Sequence, residues 1–565
     1  MSDATYVPVL IVGGGISGLS TAAFLSYRGI PCLLLERKPD LSKHPRMTDV
    51  GPRSMEIFRG IGLEDEIRAV DEGTESVILR VDTLVGQEYE RHSMGGTPAE
   101  MAGLSPTEQI WCDQDQLEPI VRRHADLHGA EVRFGTELVG FEQDTDLVRA
   151  TVRDGESGAE HQVSCDYLLA CDGIHSPIRE QLGIQRHGPG PFAHQAGILF
   201  RADLSVAQRD RNFVLCMVDK PDKGDGEGDR LHILLRRNLG RWTLSIPWDP
   251  ASGEQQTSFT EERCTELIRS AVGLPDVQVE VIDVDVWPMQ AMVADRFRAG
   301  RVLLVGDAAH ALPPTGGFGG NSCIQDAHNL AWKLTAVLDG DASDRLLDSY
   351  DAERRPIADL NMEQSLARAG LFHSGAAAGG AEQPPNQPDK SSVTLGYRYL
   401  QGALLPETGQ HDPQPAEPFE DPRKPSGAPG ARAPHIEVVR GAEVTSILDL
   451  FGAGFVLLTG PDGEPWQQAA RQVRDALKVE VAAYRVGPIA QQDGAEAELR
   501  DVHGQFSQAY GISSGGAVLV RPDGFVAWRQ SGAAGQQPAT VLPDVVGELL
   551  CRSDTAVRRN GSQPR

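Results

Sequence analysis

No apolar run in this 565-residue chain is long enough to cross a bilayer. Its start, MSDATYVPVLIVGGG, lacks the basic leader and small-residue cleavage site of a secretory signal and goes straight into a strand-like run. Positive charge is also short. Lys and Arg number 53 against 80 Asp and Glu, a formal net charge of −27. That balance argues against a nucleic-acid backbone or an anionic membrane as partner, because both need clustered cations; it also serves plain solubility. The eight Cys (32, 112, 165, 171, 216, 264, 323 and 551) form no CxxC pair and no metal-ligand spacing. They read as reduced, mostly buried thiols of a cytoplasmic protein with no metal site. No repeat with a period of about 20 to 50 residues is present.

What remains is a composition typical of a soluble globular protein, in a chain long enough for two or three domains. VPVLIV, GGGISG, LSTAAFLSYRG and IPCLLLE (7–36) read as strand, glycine turn, helix and strand, half of a dinucleotide-binding unit. Strand patterns such as AGILFRADL, LHILLRR, WTLSIPW and VEVIDVDVW fill 190–287 and predict a sheet-rich insert over a pocket. Residues 373–434 are rich in Pro and Gly and read as a long, partly extended linker. Beyond them, strand, helix and hairpin signals recur, with a PDG turn at 522–524.

Three motifs carry chemistry. Gly13, Gly15 and Gly18 stand in GxGxxG places between a strand and a helix, and Glu36 closes the next strand at about the distance expected for a ribose-binding acid. That turn suits a pyrophosphate at a helix N-terminus, of NAD or of FAD. DYLLACDGIHSPIR (166–179) places Asp172 and Gly173 after a buried strand, with Ser176 and Arg179 beyond, suiting a further phosphate or ribose contact or a plain turn. GDAAHALPPTGGFGGN (306–321) sets Asp307, Pro313, Pro314 and five glycines between a strand and a helix. The prolines stiffen the rim, the glycines clear space for a flat ligand, and Asn321 is the expected helix N-cap.

Together with RMTDVGPRSMEIFRGIGL (46–63), DQDQLEP (113–119) and YDAERRP (350–356), these motifs resemble the single-component FAD-dependent aromatic hydroxylases of the para-hydroxybenzoate hydroxylase fold, over about residues 5–370. The tail, APGARAPH followed by a thioredoxin-like order without Cys in 435–550, is similar to the branch acting on phenols and aromatic polyketides. The resemblance implies an α/β architecture: a Rossmann-like FAD-binding domain in two parts (1–182 and 286–372, the second with a long helix), an inserted β-sheet substrate domain (183–285), the linker (373–434), a thioredoxin-like domain without CxxC acting as a buttress (435–552), and a tail (553–565).

By the same resemblance, Gly13, Gly15, Ile16, Ser17, Gly18, Glu36 and Arg37 hold the ADP half of FAD. Arg46 lies by the pyrophosphate and flavin edge, Gln116 by the ribityl chain, and Asp172 and Gly173 serve both FAD and NAD(P)H. Asp307 binds the ribityl or pyrophosphate region, while the Pro314 carbonyl, Gly316, Gly317 and Asn321 frame the isoalloxazine and the rim where oxygen is handled. Met217, Trp248, Trp287 and Met289 suit the walls of an aromatic pocket, or core packing. The implied reaction uses NADPH or NADH and O2 to hydroxylate an aromatic polyketide through a C4a-hydroperoxyflavin in a dry pocket. Baeyer–Villiger insertion, epoxidation and O2-independent reduction of a quinone are the alternatives. No base is singled out: His194, His232 and Asp249 read as ordinary polar residues and His310 as a structural hydrogen-bonder. The partners expected are a small aromatic molecule and, in a homodimer, a second copy. The low-complexity stretch 374–390 departs from the family's pattern.

Overall fold

The computed structural model describes residues 5–93, 101–219, 231–253, 255–373, 388–407, 417–489, 497–532 and 537–552. Its first sheet is built around the strand Thr5–Val12, which pairs in parallel with Cys32–Glu36 on one side and Glu160–Ala170 on the other. Val302–Leu304 joins beyond Glu160–Ala170, and Glu131–Phe134 beyond Cys32–Glu36, both also parallel. Val9, Leu10, Leu33, Leu34, Leu168 and Leu169 are buried, which is why these strands read as continuous apolar runs rather than alternating ones. The turn after Thr5–Val12 is Gly13–Gly18, the turn after Glu160–Ala170 holds Asp172 and Gly173, and the turn after Val302–Leu304 holds Gly306 and Asp307. Three neighbouring parallel strands therefore deliver all three motifs to one edge of the sheet, the carboxyl end where open α/β sheets bind ligands.

The second sheet runs His310–Ala311, Glu280–Ala294, Arg186–Arg201, Arg241–Pro247, His232–Arg236, Leu215–Val218, Val77–Val81 and Glu88–Ser93. This corrects the expected boundaries 183–285. Val77–Val81 and Glu88–Ser93 come from the first part of the chain, Val77–Val81 pairing in parallel with Leu215–Val218, and the last long strand continues to Ala294. Pairing across more than a hundred residues leaves no local signal. The sheet's outer face carries Ala196, Ile198, Phe200, Cys216, Leu234, Leu244 and Ile246 and is covered by the helix Glu261–Val272 through Cys264, Ile268 and Ala271. The alternate residues face the first sheet's edge.

A seven-stranded third sheet, centred on Phe455–Thr459 and Val481–Pro488 with the helices Glu464–Leu477 and Pro538–Leu549, forms the C-terminal unit. The expected extended linker 373–434 is, where described, neither loose nor extended. Lys390–Leu395 is helical, and Tyr397 and Tyr399 are buried against Phe525 and Ile357. Arg432 pairs with Glu56, both buried. Packed aromatic rings and one buried ion pair outweigh the turn-forming composition. The stretches 374–387 and 408–416, most of the low-complexity region included, and the tail 553–565 lie outside the described residues. No helix among the described residues is long and apolar enough to cross a membrane.

Candidate active site

The first turn is built for close approach. Gly13 has φ +111°, and a Cβ there would stand 2.1 Å from the Cys171 carbonyl oxygen; a Cβ on Gly18 would stand 1.9 Å from that of Gly13. Only glycine lets helix Ile16–Tyr27 come this near the strands. That helix has no side-chain cap, so its first N–H groups face the turn with the partial positive charge of a helix start. Ile16 and Ser17 are buried and offer backbone rather than side chain. The Glu36 carboxylate accepts from Gly14 N at 2.7 Å and Lys38 N at 2.8 Å, which leaves lone pairs for a sugar hydroxyl; Arg37 is exposed beside it. The set fits a dinucleotide.

The second and third turns adjoin the first. A Cβ on Gly306 (φ +63°) would stand 2.0 Å from Ser17 Oγ, so these two turns touch. Asp307 projects outward, exposed, with Cys323 Sγ donating to its Oδ1 at 3.6 Å. Gly173 has φ +81° and open space where a Cβ would be. Asp172 Oδ2 accepts from Ile178 N at 3.1 Å, whereas its Oδ1 is buried without a partner; burial raises this carboxyl above the usual range against the Ser176 and Ile178 bonds. Arg179, buried, donates to the Ala308 carbonyl at 3.0 Å and to that of Ile174 at 3.3 Å, tying the second turn to the third.

Two details of the third turn differ from expectation. The helix begins at Phe318 with Gly317 as its N-cap (φ +71°, no side-chain cap), one turn before Asn321. Asn321 instead accepts from Gly51 N at 2.9 Å and donates to the Gly317 carbonyl at 2.9 Å, fastening the turn to helix Pro52–Arg59. The Pro314 carbonyl accepts from Gly317 N at 3.2 Å, so it closes the turn. Beside Gly316, Gly317 and Asn321 lies a small pocket, also lined by Asp49, Arg53 and Lys390. Burial raises the Asp49 carboxyl, while the Lys390 charge opposes that shift.

Gln116 is misplaced in the expected set. Its Oε1 accepts from Asn238 Nδ2 at 2.8 Å, toward the second sheet. The glutamine at the first turn is Gln114, whose Oε1 accepts from Met47 N at 3.2 Å and whose Nε2 donates to Glu118 Oε1 at 2.6 Å; a Cβ on Gly15 would lie 3.9 Å from that oxygen. Glu118 is 1 % exposed. Burial, with the charges of Asp115 and Glu36, raises its carboxyl to about 7 against the Gln114 bond and Arg46. Arg46 reaches across to the second sheet, where it pairs with Asp285 at 3.3 Å while staying largely exposed.

On the inner face of the second sheet, Met217, Trp287 and Met289 share parity with Asp285 and Gly197. His44 packs there, its Nε2 3.3 Å from where a Gly197 Cβ would lie. Trp248 has the opposite parity. It packs with the outer-face core, edge-on to His194 at 5.9 Å between ring centroids, and so is not a pocket wall. His232 lies on a strand of this sheet, and Asp249 caps a turn by accepting from Ala251 N. His310 is structural as expected: its Nε2 lies 2.7 Å from Asp326 Oδ2, both side chains buried. Among the described residues no group of His, Cys, Asp and Glu is arranged for a metal.

Comparison with known proteins agrees with this geometry. Residues 6–365 match the FAD binding domain family, and residues 426–550 match the aromatic-ring hydroxylase C-terminal family. The chain is 40 % identical to 4-methyl-5-nitrocatechol 5-monooxygenase of a Burkholderia species, covering 97 % of this chain and 98 % of that one. It is also 40 % identical to aklavinone 12-hydroxylase of Streptomyces purpurascens, over 97 % of this chain and 99 % of the relative. In three dimensions it resembles aklavinone-11 hydroxylase, solved as a ternary complex with FAD and aklavinone, with a TM-score of 0.87 at 39 % identity over 98 % of this chain and all of that one.

Proposed function

The chain belongs to the FAD-dependent aromatic-ring hydroxylases, and from that premise we propose that it places one atom of O2 on the ring of a polycyclic phenol or quinone of polyketide origin, with NAD(P)H as reductant. The observation that supports this reading of the cofactor is the close approach of Gly306 to Ser17: glycine turns from the start and the middle of the chain meet, so one extended cofactor would span both. When bound, FAD supplies the redox chemistry, taking electrons from the nicotinamide and activating O2 for transfer.

The protein's part is placement, electrostatics and exclusion of water. The uncapped start of helix Ile16–Tyr27 receives the diphosphate and Glu36 the adenosine ribose, with Gln114 and Asp307 on the chain between diphosphate and ring. The uncapped start of helix Phe318–Leu338, opened by Gly316 and Gly317, would favour negative charge on a ring held beside it by about 1 kcal/mol. The inner-face side chains of Met217, Trp287 and Met289 form an apolar wall that holds a flat substrate and keeps water off. The substrate's polycyclic size rests on the aklavinone-acting relatives, and the nitrocatechol-acting relative marks the single-ring alternative.

The test is turnover of the purified protein with NADPH and 18O2 on a panel of phenols and polycyclic quinones, read by mass spectrometry. One labelled oxygen on an intact carbon skeleton is expected. A reduced, unlabelled product would overturn the proposal.

A further inference from the structure

We propose that the C-terminal unit positions the cofactor turn: Arg521 and Asp523 act through Tyr399, Arg354 and Asp326 on Gly306 and His310, so that retention of FAD depends on this chain of contacts. The inference rests on the reading that the third turn holds FAD.

The chain can be followed atom by atom. Asp326 Oδ2 accepts from Gly306 N at 3.3 Å and lies 2.7 Å from His310 Nε2. Its other oxygen accepts from Arg354 Nε at 2.6 Å. Arg354 Nη1 donates to Tyr399 Oη at 3.3 Å, and Asn329 Nδ2 reaches the same oxygen at 3.4 Å. Asn329 also donates to Glu353 at 2.7 Å and to Asp523 at 3.2 Å. Arg521 holds Glu353 through two bonds of 2.8 Å and Asp523 through its Nε at 2.9 Å. Tyr399 stacks against Phe525 of the same C-terminal hairpin at 4.3 Å, and the Arg521 guanidinium lies over both rings.

Every member is at most 3 % exposed, so water does not screen one charge from the next. Burial would raise the Asp326 carboxyl, but Arg354 and His310 hold it below the usual range. It therefore carries full charge toward the turn. Lys333, Arg354 and Arg521 balance Asp326, Glu353 and Asp523. The backbone is fitted to this: Ala403 N donates to Glu353 Oε1 at 2.8 Å, and a Cβ on Gly402 would fall 2.3 Å from that oxygen. A buttress would need only apolar contact, which Trp332 and Leu346 already provide against Phe455 and its neighbours.

The test uses full-length apoprotein titrated with FAD, followed by flavin fluorescence and by the midpoint potential of the bound flavin. Tyr399→Phe removes the hydroxyl and keeps the ring. The double variant Arg521→Met, Asp523→Asn removes the charge pair at the far end; Glu353 loses its two bonds from Arg521 and keeps those from Lys333, Asn329 and Ala403 N. Both are expected to raise the Kd for FAD at least fivefold and to shift the potential, with the apoprotein of Tyr399→Phe still folded and unfolding cooperatively. Kd within twofold and an unchanged potential in both variants overturn the inference. Asp307→Ala separates it from its premise: weakened FAD binding there, with Tyr399→Phe and the double variant unaffected, sinks only the inference, whereas unweakened binding in Asp307→Ala sinks the cofactor placement itself.

Discussion

Gln114 Nε2 donates to Glu118 Oε1 at 2.6 Å, four residues apart on one helix face, and with Met47 N on its other end the Gln114 amide is fixed at the first glycine turn. A group held this way needs no reordering when a cofactor arrives.

The two glutamines of DQDQLEP should therefore behave differently. Gln114→Leu is expected to weaken FAD binding about tenfold, the worth of one well-placed hydrogen bond. Gln116→Leu loses its bond to Asn238 and should leave the Kd for FAD unchanged. Fluorescence titration of both apoproteins decides it, and equal losses would return Gln116 to the site.

Glu118 gives a dependence on pH. Burial raises its carboxyl from 4.5 to about 7, so the folded protein holds this proton where the unfolded chain releases it. The resulting cost to stability is absent below pH 4.5, grows as pH rises toward 7 and is complete above it, reaching about 3 kcal/mol. Glu118→Gln should be more stable than the parent at pH 8, with the gain shrinking by pH 5. Urea unfolding at the two pH values measures this, and a gain of the same size at both would refute it.

Gly317 sits at φ +71°, and a Cβ there would come 3.0 Å from Asp49 Oδ1. Gly317→Val forces a β-branched residue into the left-handed region and should abolish both FAD content and turnover. Flavin absorbance of the purified variant together with NADPH oxidation is the measurement; near-normal rates would count against this turn as the flavin's frame.

Asn321→Ala removes the acceptor from Gly51 N and the donor to Gly317. A loss of about 1 to 3 kcal/mol in unfolding free energy is expected, because a partly buried N–H is left unmatched. An Asn321→Asp variant, which still accepts from Gly51 N, should recover part of it.

The three glycine turns were legible because each follows a buried strand directly and its glycines sit within a few residues. Gln114 was not, because residues two apart on a helix point about 200° from each other and the sequence does not say which face meets the turn. The start of the last cofactor helix was hidden by Gly319 and Gly320, poor helix formers inside its first turn. Tyr397, Tyr399 and Arg432 were lost in a Pro- and Gly-rich background, although they carry the packing of that stretch. The strand Val77–Val81 could not be assigned to the second sheet, since its partner lies far along the chain.

The parallel pairing of Thr5–Val12 with Glu160–Ala170, and of that strand with Val302–Leu304, also bears on how the protein is made. At roughly 5 to 20 residues per second of synthesis, about 15 to 60 s pass between the first of these strands leaving the ribosome and the last. During that interval the growing sheet keeps an open apolar edge, which makes the nascent chain, rather than the finished enzyme, the form most in need of a chaperone.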